Sequence, residues 1–236
     1  MIPSRLAPHF WRHDAYTLNR LVQGVASVAC SLKTDLLPFA PLKSGGVVVD
    51  LGAGEAPYRK LFESSTIRYI TCDIDEAAEV PIQSGLPISL GDASADVVVS
   101  FQVLEHVWDL DWYLSEAHRI LKSTGALVLS THGTWLYHPH PTDYRRWTRE
   151  GLIRELQTRG FKVNEVFGLV GPLAWTTQFR ALGLHRLLIA VPMLGATLAA
   201  LVSTFMHGRM WLEDKFTPPE WAQSNAAVYL LVATKA

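Results

Sequence analysis

Val47-Val48-Val49-Asp50-Leu51-Gly52-Ala53-Gly54-Glu55-Ala56-Pro57-Tyr58 sets the fold of this chain. A run of β-branched residues closes on an acid, and two glycines then flank one alanine. Valines in succession need no polar partner, which suits a strand buried on both faces, as in a parallel sheet. Gly52 and Gly54 lack the Cβ that would hinder a sharp turn or a close approach to a ligand. A helix is expected to begin at Glu55 or Ala56 and to aim its free N–H groups back at the loop. Strand, glycine turn and helix in that order make a nucleotide-type cofactor site.

The surrounding chain has 236 residues, enough for an α/β domain with a substantial core. Hydrophobic residues make up 49% and charged residues only 18%, a greasier balance than a soluble domain usually has. A net charge of −1 provides no field for nucleic acid, so a nucleic-acid partner is excluded. Cys30 and Cys72 lie far apart without a paired spacing and read as free thiols of a reducing compartment. The start, Met1-Ile2-Pro3-Ser4-Arg5, lacks the basic-then-apolar pattern of a secretory leader, so the expected location is cytoplasmic.

Upstream of the valine run, Asp14 is expected to cap a helix reaching about Leu36, with Leu18, Leu21, Val25, Val28 and Leu32 at helical spacing. Pro38, Pro41 and Gly45-Gly46 end it. Downstream, a short helix over 56–64 precedes a strand from Arg68 to Asp73, and Pro81, Gly85, Pro87 and Gly91 then break the chain up. A strand over 96–101 leads to a helix over 109–121 that Gly125 stops, and a strand follows over 126–131. Thr148 caps a further helix, which Gly160 closes. Strand and helix alternate from 47 to 160, the pattern of a doubly wound parallel sheet. Two more strands, 161–167 and 227–234, are separated by about sixty residues without that alternation.

These elements resemble a known family. Asp50-Leu51-Gly52-Ala53-Gly54 resembles the first motif of class I S-adenosylmethionine-dependent methyltransferases, and Asp73 matches the acid they place on the ribose hydroxyls. Phe101-Gln102-Val103-Leu104-Glu105-His106-Val107, followed by Arg119-Ile120-Leu121-Lys122 and Gly125, is similar to a block of the small-molecule, "type 11"-like branch. The resemblance implies an α/β, Rossmann-like, doubly wound seven-stranded sheet with an antiparallel final hairpin. Residues 161–167 become the sixth strand and 227–234 the seventh, inserted beside the fifth. It implies a single domain over 1–236: an N-terminal helical cap (1–45), a cofactor core (46–167), a helical insertion (168–225) and a last strand (226–236). S-adenosylmethionine would be held by Asp50, Gly52, Ala53, Gly54, Asp73 and Ile74, with Gln83, Leu86, Gln102 and Val103 completing the set.

The chain departs from the family at two points. Ala56-Pro57 stand where a third glycine is usual, and no acid in Val80–Leu86 matches the one that binds the adenine amino group; Gln83 or Ser84 stands in its place. The rival dinucleotide fold needs G-x-G-x-x-G, which Pro57 breaks.

Methyl transfer from a sulfonium needs the acceptor atom held about 3–3.5 Å from the methyl and in line with the breaking bond. A hydroxyl acceptor also needs a base, for which histidine has a suitable pKa. His132 is the leading base, because it follows the carboxyl end of the fifth strand, where open α/β sheets bind ligands. His106 is placed similarly after the fourth strand, and Asp143 is the second choice. Each has a plainer reading: His132 or His106 as a holder of its own loop, and Asp143 as the partner of an arginine that locks the loop. The segment from His138 to Thr148 resembles an "H-x-x-P-x-D-Y-x-R-x-T" loop of bacterial relatives, which implies that His138, His140, Tyr144 and Arg145 bind substrate. His138 and His140 raise a metal question, but only Asp143 stands near to extend the set, and no metal is expected. Trp11, Arg12 and Tyr16 lie on a segment that either covers the cofactor or only covers the sheet.

Leu187 to Met206 is twenty residues without a charge, the nominal length of a membrane span. Pro192 and Gly195 interrupt it, and the strands on either side must pair in one sheet, so a single crossing is excluded. A helical lid, a homodimer surface and a peripheral membrane contact remain, with lid and dimer favoured because apolar insertions build pockets. The expected reaction is O-methylation of a small or lipid-linked acceptor, a sugar, glycolipid or natural-product hydroxyl of polysaccharide or natural-product biosynthesis. The alternative is a non-catalytic subunit of methyltransferase fold that associates with a membrane or a partner protein.

Overall fold

The valine run forms strand β1 (Val47–Leu51), which pairs in parallel with β2 (Arg68–Asp73) on one edge and β4 (Ala95–Phe101) on the other. Val48 packs with Val97 and Val99 on one face of the sheet, while Val49 and Leu51 pack with Val98 on the other. Both faces are therefore dry, which is why the run carries no polar residue before Asp50. The computed structural model describes residues 13–34, 36, 42–139 and 141–236. Trp11, Arg12 and His140 lie outside them.

With β3 (Val80–Pro81), β5 (Leu121–His132), β6 (Phe161–Leu169) and β7 (Val228–Lys235), the strands form one seven-stranded sheet in the order β3-β2-β1-β4-β5-β7-β6. β7 runs antiparallel between β5 and β6, with Val128 opposite Val232 and Val166 opposite Leu231. The expected final hairpin is thus present. Helices cover both faces: α1 (Ala15–Lys33) buries Leu21, Val25 and Leu32 on one, and α3 (Leu110–Ile120) and α4 (Arg149–Gln157) bury Leu114, Ile120, Leu152 and Leu156 on the other.

Several boundaries differ from the expectation, each for a local reason. The helix after the glycine loop is only one turn, α2 (Arg59–Phe62). Gly54 and Ala56 have φ of 51° and 49°, outside the right-handed helical region, so no helix begins at Glu55 or Ala56. α1 ends at Lys33, short of Leu36, and Asp14 flanks it without a side-chain cap. α3 ends at Ile120, ahead of Gly125. A Cβ on Gly125 would lie 2.6 Å from Leu121 Cδ1 and 2.7 Å from the Asp96 carbonyl oxygen, so that glycine serves strand packing. Thr148 caps α4 as expected, accepting the Gly151 N–H at 3.1 Å, and Asp109 caps α3, accepting the Trp112 N–H at 2.9 Å.

Between β6 and β7 the insertion folds as α5 (Pro172–Leu188), α6 (Gly195–Phe216) and α7 (Pro219–Ser224). The chain turns between α5 and α6, through Pro192, within the uncharged stretch; among the described residues no helix is long and apolar enough to cross a membrane. Its base is tied to α1: the Tyr16 hydroxyl donates to Asp214 at 2.6 Å and the Thr17 hydroxyl to Gln178 at 3.1 Å. Tyr16 therefore joins two helices and α1 covers the sheet. The far end of the hairpin is exposed, with Leu187, Met193 and Phe205 all largely open to solvent.

Candidate active site

β1, β2 and β4 end together at Leu51, Asp73 and Phe101, and the loops that follow them enclose a cleft of about 470 Å³. That volume falls in the range of small-molecule sites, roughly 300–1,000 Å³. Gly52 and Gly54 come from the first loop, Asp73 and Ile74 from the second, and Gln102 and Val103 from the third. These six were all expected from the sequence.

The glycine loop is fixed by its neighbours. The N–H groups of Gly52 and Ala53 both donate to the Cys72 carbonyl, at 2.8 and 3.1 Å. The Gly54 N–H donates to Asp73 Oδ2 at 2.6 Å, and the Asp75 N–H donates to Asp73 Oδ1 at 3.2 Å. Asp73 thus lies on the cleft wall with its oxygens already oriented. Gly52 has φ of 77°, and a Cβ there would sit 2.5 Å from Val103 Cγ2. Only glycine permits that approach of the first loop to the third. Gln102, itself at φ 57°, is held by its side chain, whose amide donates to Ser130 Oγ at 3.1 Å.

Four expected cofactor residues lie elsewhere. Asp50 is buried behind the loop, where it accepts the Tyr69 hydroxyl at 2.5 Å and burial pushes its carboxyl up to about 7. Its contribution is to hold β1 and β2 together beneath the cleft. Ala53 is buried as well and does not line the cleft. Gln83 and Leu86 are not on the wall, where Ser84 and Ile82 stand instead; Leu86 offers its carbonyl to the Trp112 indole N–H at 2.8 Å.

Sequence reasoning missed Trp112 and Tyr113, which project from the first turn of α3 into the same cleft. The Tyr113 hydroxyl donates to the Leu51 carbonyl at 3.0 Å and shares a 2.8 Å hydrogen bond with Ser100. An aromatic pair on a capped first turn was the available signal, but helical spacing counts Tyr113 as core. Arg119, read only as part of a motif, donates to the Ile88 and Leu90 carbonyls at 2.9 and 2.8 Å and pins the chain that follows β3.

The acceptor side is built by the loop after β5, and it reverses the order of the expected bases. His132 is buried, stacks flat on Trp135 at 5.0 Å and does not line the cleft. Burial holds its imidazole well below the ordinary value. Asp143 is clamped by both Nη atoms of Arg146, at 2.5 and 2.7 Å, and accepts the His138 N–H at 2.9 Å. The Arg146 guanidinium keeps that carboxyl well below the usual carboxylate range, so Asp143 locks the loop and is a poor base. His106 does line the cleft. Its Nδ1 lies 2.6 Å from the Thr142 carbonyl, which can only accept, so Nδ1 carries the proton and Nε2 keeps its lone pair.

Of the expected substrate residues, Tyr144 lines the cleft with Trp108 and Pro141. Arg145 is turned back instead, donating to the Val107 and Trp108 carbonyls and lying over the Trp108 ring. His138 packs between His106 and His132 behind the wall. No residue of 187–206 borders the cleft, so the apolar hairpin is not a lid over it.

Comparison with known proteins agrees with this geometry. The methyltransferase domain family matches residues 23–184. A probable S-adenosylmethionine-dependent methyltransferase of Mycolicibacterium smegmatis is 32% identical over 143 residues, covering 53% of this chain and 56% of that protein. A similar protein of Mycobacterium tuberculosis is 30% identical over 143 residues, covering 56% of this chain and 49% of the relative. The chain spans about half the length of the curated relatives it matches. Among solved structures, 1,6-didemethyltoxoflavin-N1-methyltransferase of Burkholderia thailandensis, with S-adenosylhomocysteine bound, has a TM-score of 0.53 at 16% identity, covering 91% of this chain and 78% of its own. The cyclase SpnF has a TM-score of 0.55 at 17% identity over 89% of this chain and 80% of its own. At such identities the likeness is one of fold. The family match, spanning most of the sequence, and the 3-2-1-4-5-7-6 sheet together establish that the chain belongs to the methyltransferase domain family, of the class I S-adenosylmethionine-dependent kind.

Proposed function

We propose that this chain moves the methyl group of S-adenosylmethionine to an oxygen of a small or lipid-linked acceptor, a sugar, glycolipid or natural-product hydroxyl. The observation that carries this reading is one cleft lined both by Gly52, Gly54 and Asp73, a cofactor wall, and by His106 and Tyr144. Asp73 accepts the ribose hydroxyls, and the glycine loop faces the methionine end. Ile74, Ile82 and Trp112 offer apolar faces to the adenine, and Ser84 offers a hydroxyl in place of the missing acid.

The acceptor oxygen attacks the methyl carbon as the sulfur–methyl bond breaks, and neutral S-adenosylhomocysteine leaves. The hydroxyl proton passes to His106 Nε2, the nitrogen left free by the Thr142 carbonyl. His106→Gln should then lower turnover by roughly 10²–10⁴-fold, the usual contribution of a positioned base, with affinity for S-adenosylmethionine unchanged. Methyl transfer to a panel of glycan, glycolipid and phenolic acceptors measures it. Wild-type turnover in that variant removes His106 from the base role.

The exposed hairpin supports a homodimer surface, since Leu187, Ile189, Leu201 and Phe205 form an apolar ridge away from the cleft. Sedimentation should show a dimer that Leu201→Glu with Phe205→Glu converts to a monomer. A wild-type monomer that floats with neutral lipid vesicles would transfer the ridge to membrane contact instead.

A further inference from the structure

Behind the acceptor wall, three side chains from three different elements converge. Glu105 belongs to the 3₁₀ turn Leu104–His106, His132 ends β5, and His138 lies in the proline-braced loop. One donor atom from each lies within 4.8 Å of the other two. Glu105 is 0% and His132 6% exposed, so two polar groups have been taken out of water at this point. Burial of that kind is costly unless each atom finds a partner.

The partners are incomplete. Glu105 Oε2 accepts the Thr131 hydroxyl at 2.8 Å, but Oε1 has no hydrogen-bond partner among the described residues. Oε1 faces His132 Nε2 at 3.5 Å. That separation is too long for an O–H···N bond. It fits two ligands of one ion: at metal–ligand distances near 2.0–2.2 Å, tetrahedral neighbours stand about 3.3–3.6 Å apart.

His138 is oriented to complete the set. Its Nδ1 lies 3.4 Å from Asp143 Oδ2 and 3.4 Å from Arg146 Nη2. Both N–H groups of that Nη2 are already given, to Asp143 Oδ2 at 2.7 Å and to the Leu136 carbonyl at 2.8 Å. His138 Nδ1 thus stands beside the Asp143 carboxylate at ion-pair distance.

We propose that Glu105, His132 and His138 bind one divalent transition ion of the zinc class at the acceptor end of the cleft. Two imidazoles and one carboxylate form a known zinc donor set that leaves a fourth position for water. His106, which lines the cleft, packs edge-on against His138 at 5.0 Å between ring centroids, so the ion lies one side chain behind the wall. From the sequence no metal is expected; this set draws on Glu105 of the 3₁₀ turn and His132 at the end of β5, both remote from the His138 loop in sequence.

The test is metal uptake, which needs neither a methyl donor nor an acceptor. Full-length protein stripped with a chelator is titrated with Zn²⁺ by calorimetry, and with Co²⁺ while visible absorption is followed. One ion per chain is expected, with cobalt bands of nitrogen and oxygen coordination and a higher melting temperature in zinc. His138→Ala should weaken uptake by at least about a hundredfold, and Glu105→Gln should do the same. His138 is only partly buried, its side chain 28% exposed, so its variant should keep a cooperative melt, which is recorded beside each titration. Wild type that takes up no stoichiometric ion and develops no cobalt bands overturns the proposal. So does uptake by a folded His138→Ala protein equal to that of wild type.

Discussion

Asp73→Ala should weaken binding of S-adenosylmethionine by roughly 10²–10³-fold, while the protein stays folded. Hydroxyl hydrogen bonds to an ionised carboxylate are worth about 1.5–3 kcal/mol each, and two at about 1.5–2 kcal/mol, the lower part of that range, correspond to this loss. The side chain also holds the Gly54 N–H at 2.6 Å, so its loss loosens the loop as well as removing the acceptor. Gly54 is exposed, and water can take over its N–H, which is why stability should hardly change. Asp73→Asn keeps one acceptor oxygen and should fall in between, near tenfold. Calorimetry reads all three proteins; equal affinities for wild type and Asp73→Ala would place the ribose elsewhere.

Gly52→Ala is expected to damage both the fold and the site. At φ 77° a residue with a Cβ pays about 1–2 kcal/mol, and the new atom would meet Val103 Cγ2 at 2.5 Å and Cγ1 at 2.6 Å. Overpacking of that kind costs about 1–3 kcal/mol more. For a chain of this size the melting temperature should fall by about 4–15 °C, and cofactor affinity by more than tenfold because Val103 forms the cleft wall. Adding Val103→Ala should restore the steric part and leave the backbone part, a non-additivity that identifies the clash. Gly54→Ala is the control: its φ is 51°, close to the 49° that Ala56 already adopts, and nothing lies within 4 Å of the added atom. It should melt within a few degrees of wild type. Unchanged melting in Gly52→Ala would mean that the first and third loops do not approach each other as described.

What the sequence made legible was what local chemistry decides alone. β1 and β4 could be read from unbroken valines because both their faces are covered, and Asp73 from its place at the end of β2. The final hairpin came from the resemblance. Where distant parts of the chain compete for a side chain, the reading was incomplete. Asp50 looked like a ligand residue until Tyr69, nineteen residues on, was seen to occupy its carboxylate. Asp143 and Arg146 choose each other over substrate, the plainer of the two readings, and Arg145 turns to the carbonyls of Val107 and Trp108. His106 and His132 occupy equivalent strand ends in sequence, and only tertiary packing lets His106 reach the cleft while His132 lies beneath Trp135. The one-turn α2 was illegible because it depends on positive φ at Ala56, a non-glycine residue whose conformation no local pattern announces.

The Gly52–Asp73 cleft is the expected seat of S-adenosylmethionine. Calorimetric titration of the full chain with S-adenosylmethionine, repeated in the presence of S-adenosylhomocysteine, tests it directly. Saturable binding of one molecule per chain is predicted, competed by the demethylated product and accompanied by a higher melting temperature, since both ligands select the folded state. No heat and no thermal shift with either compound, from a chain that melts cooperatively, would contradict the claim and leave a methyltransferase fold without its cofactor.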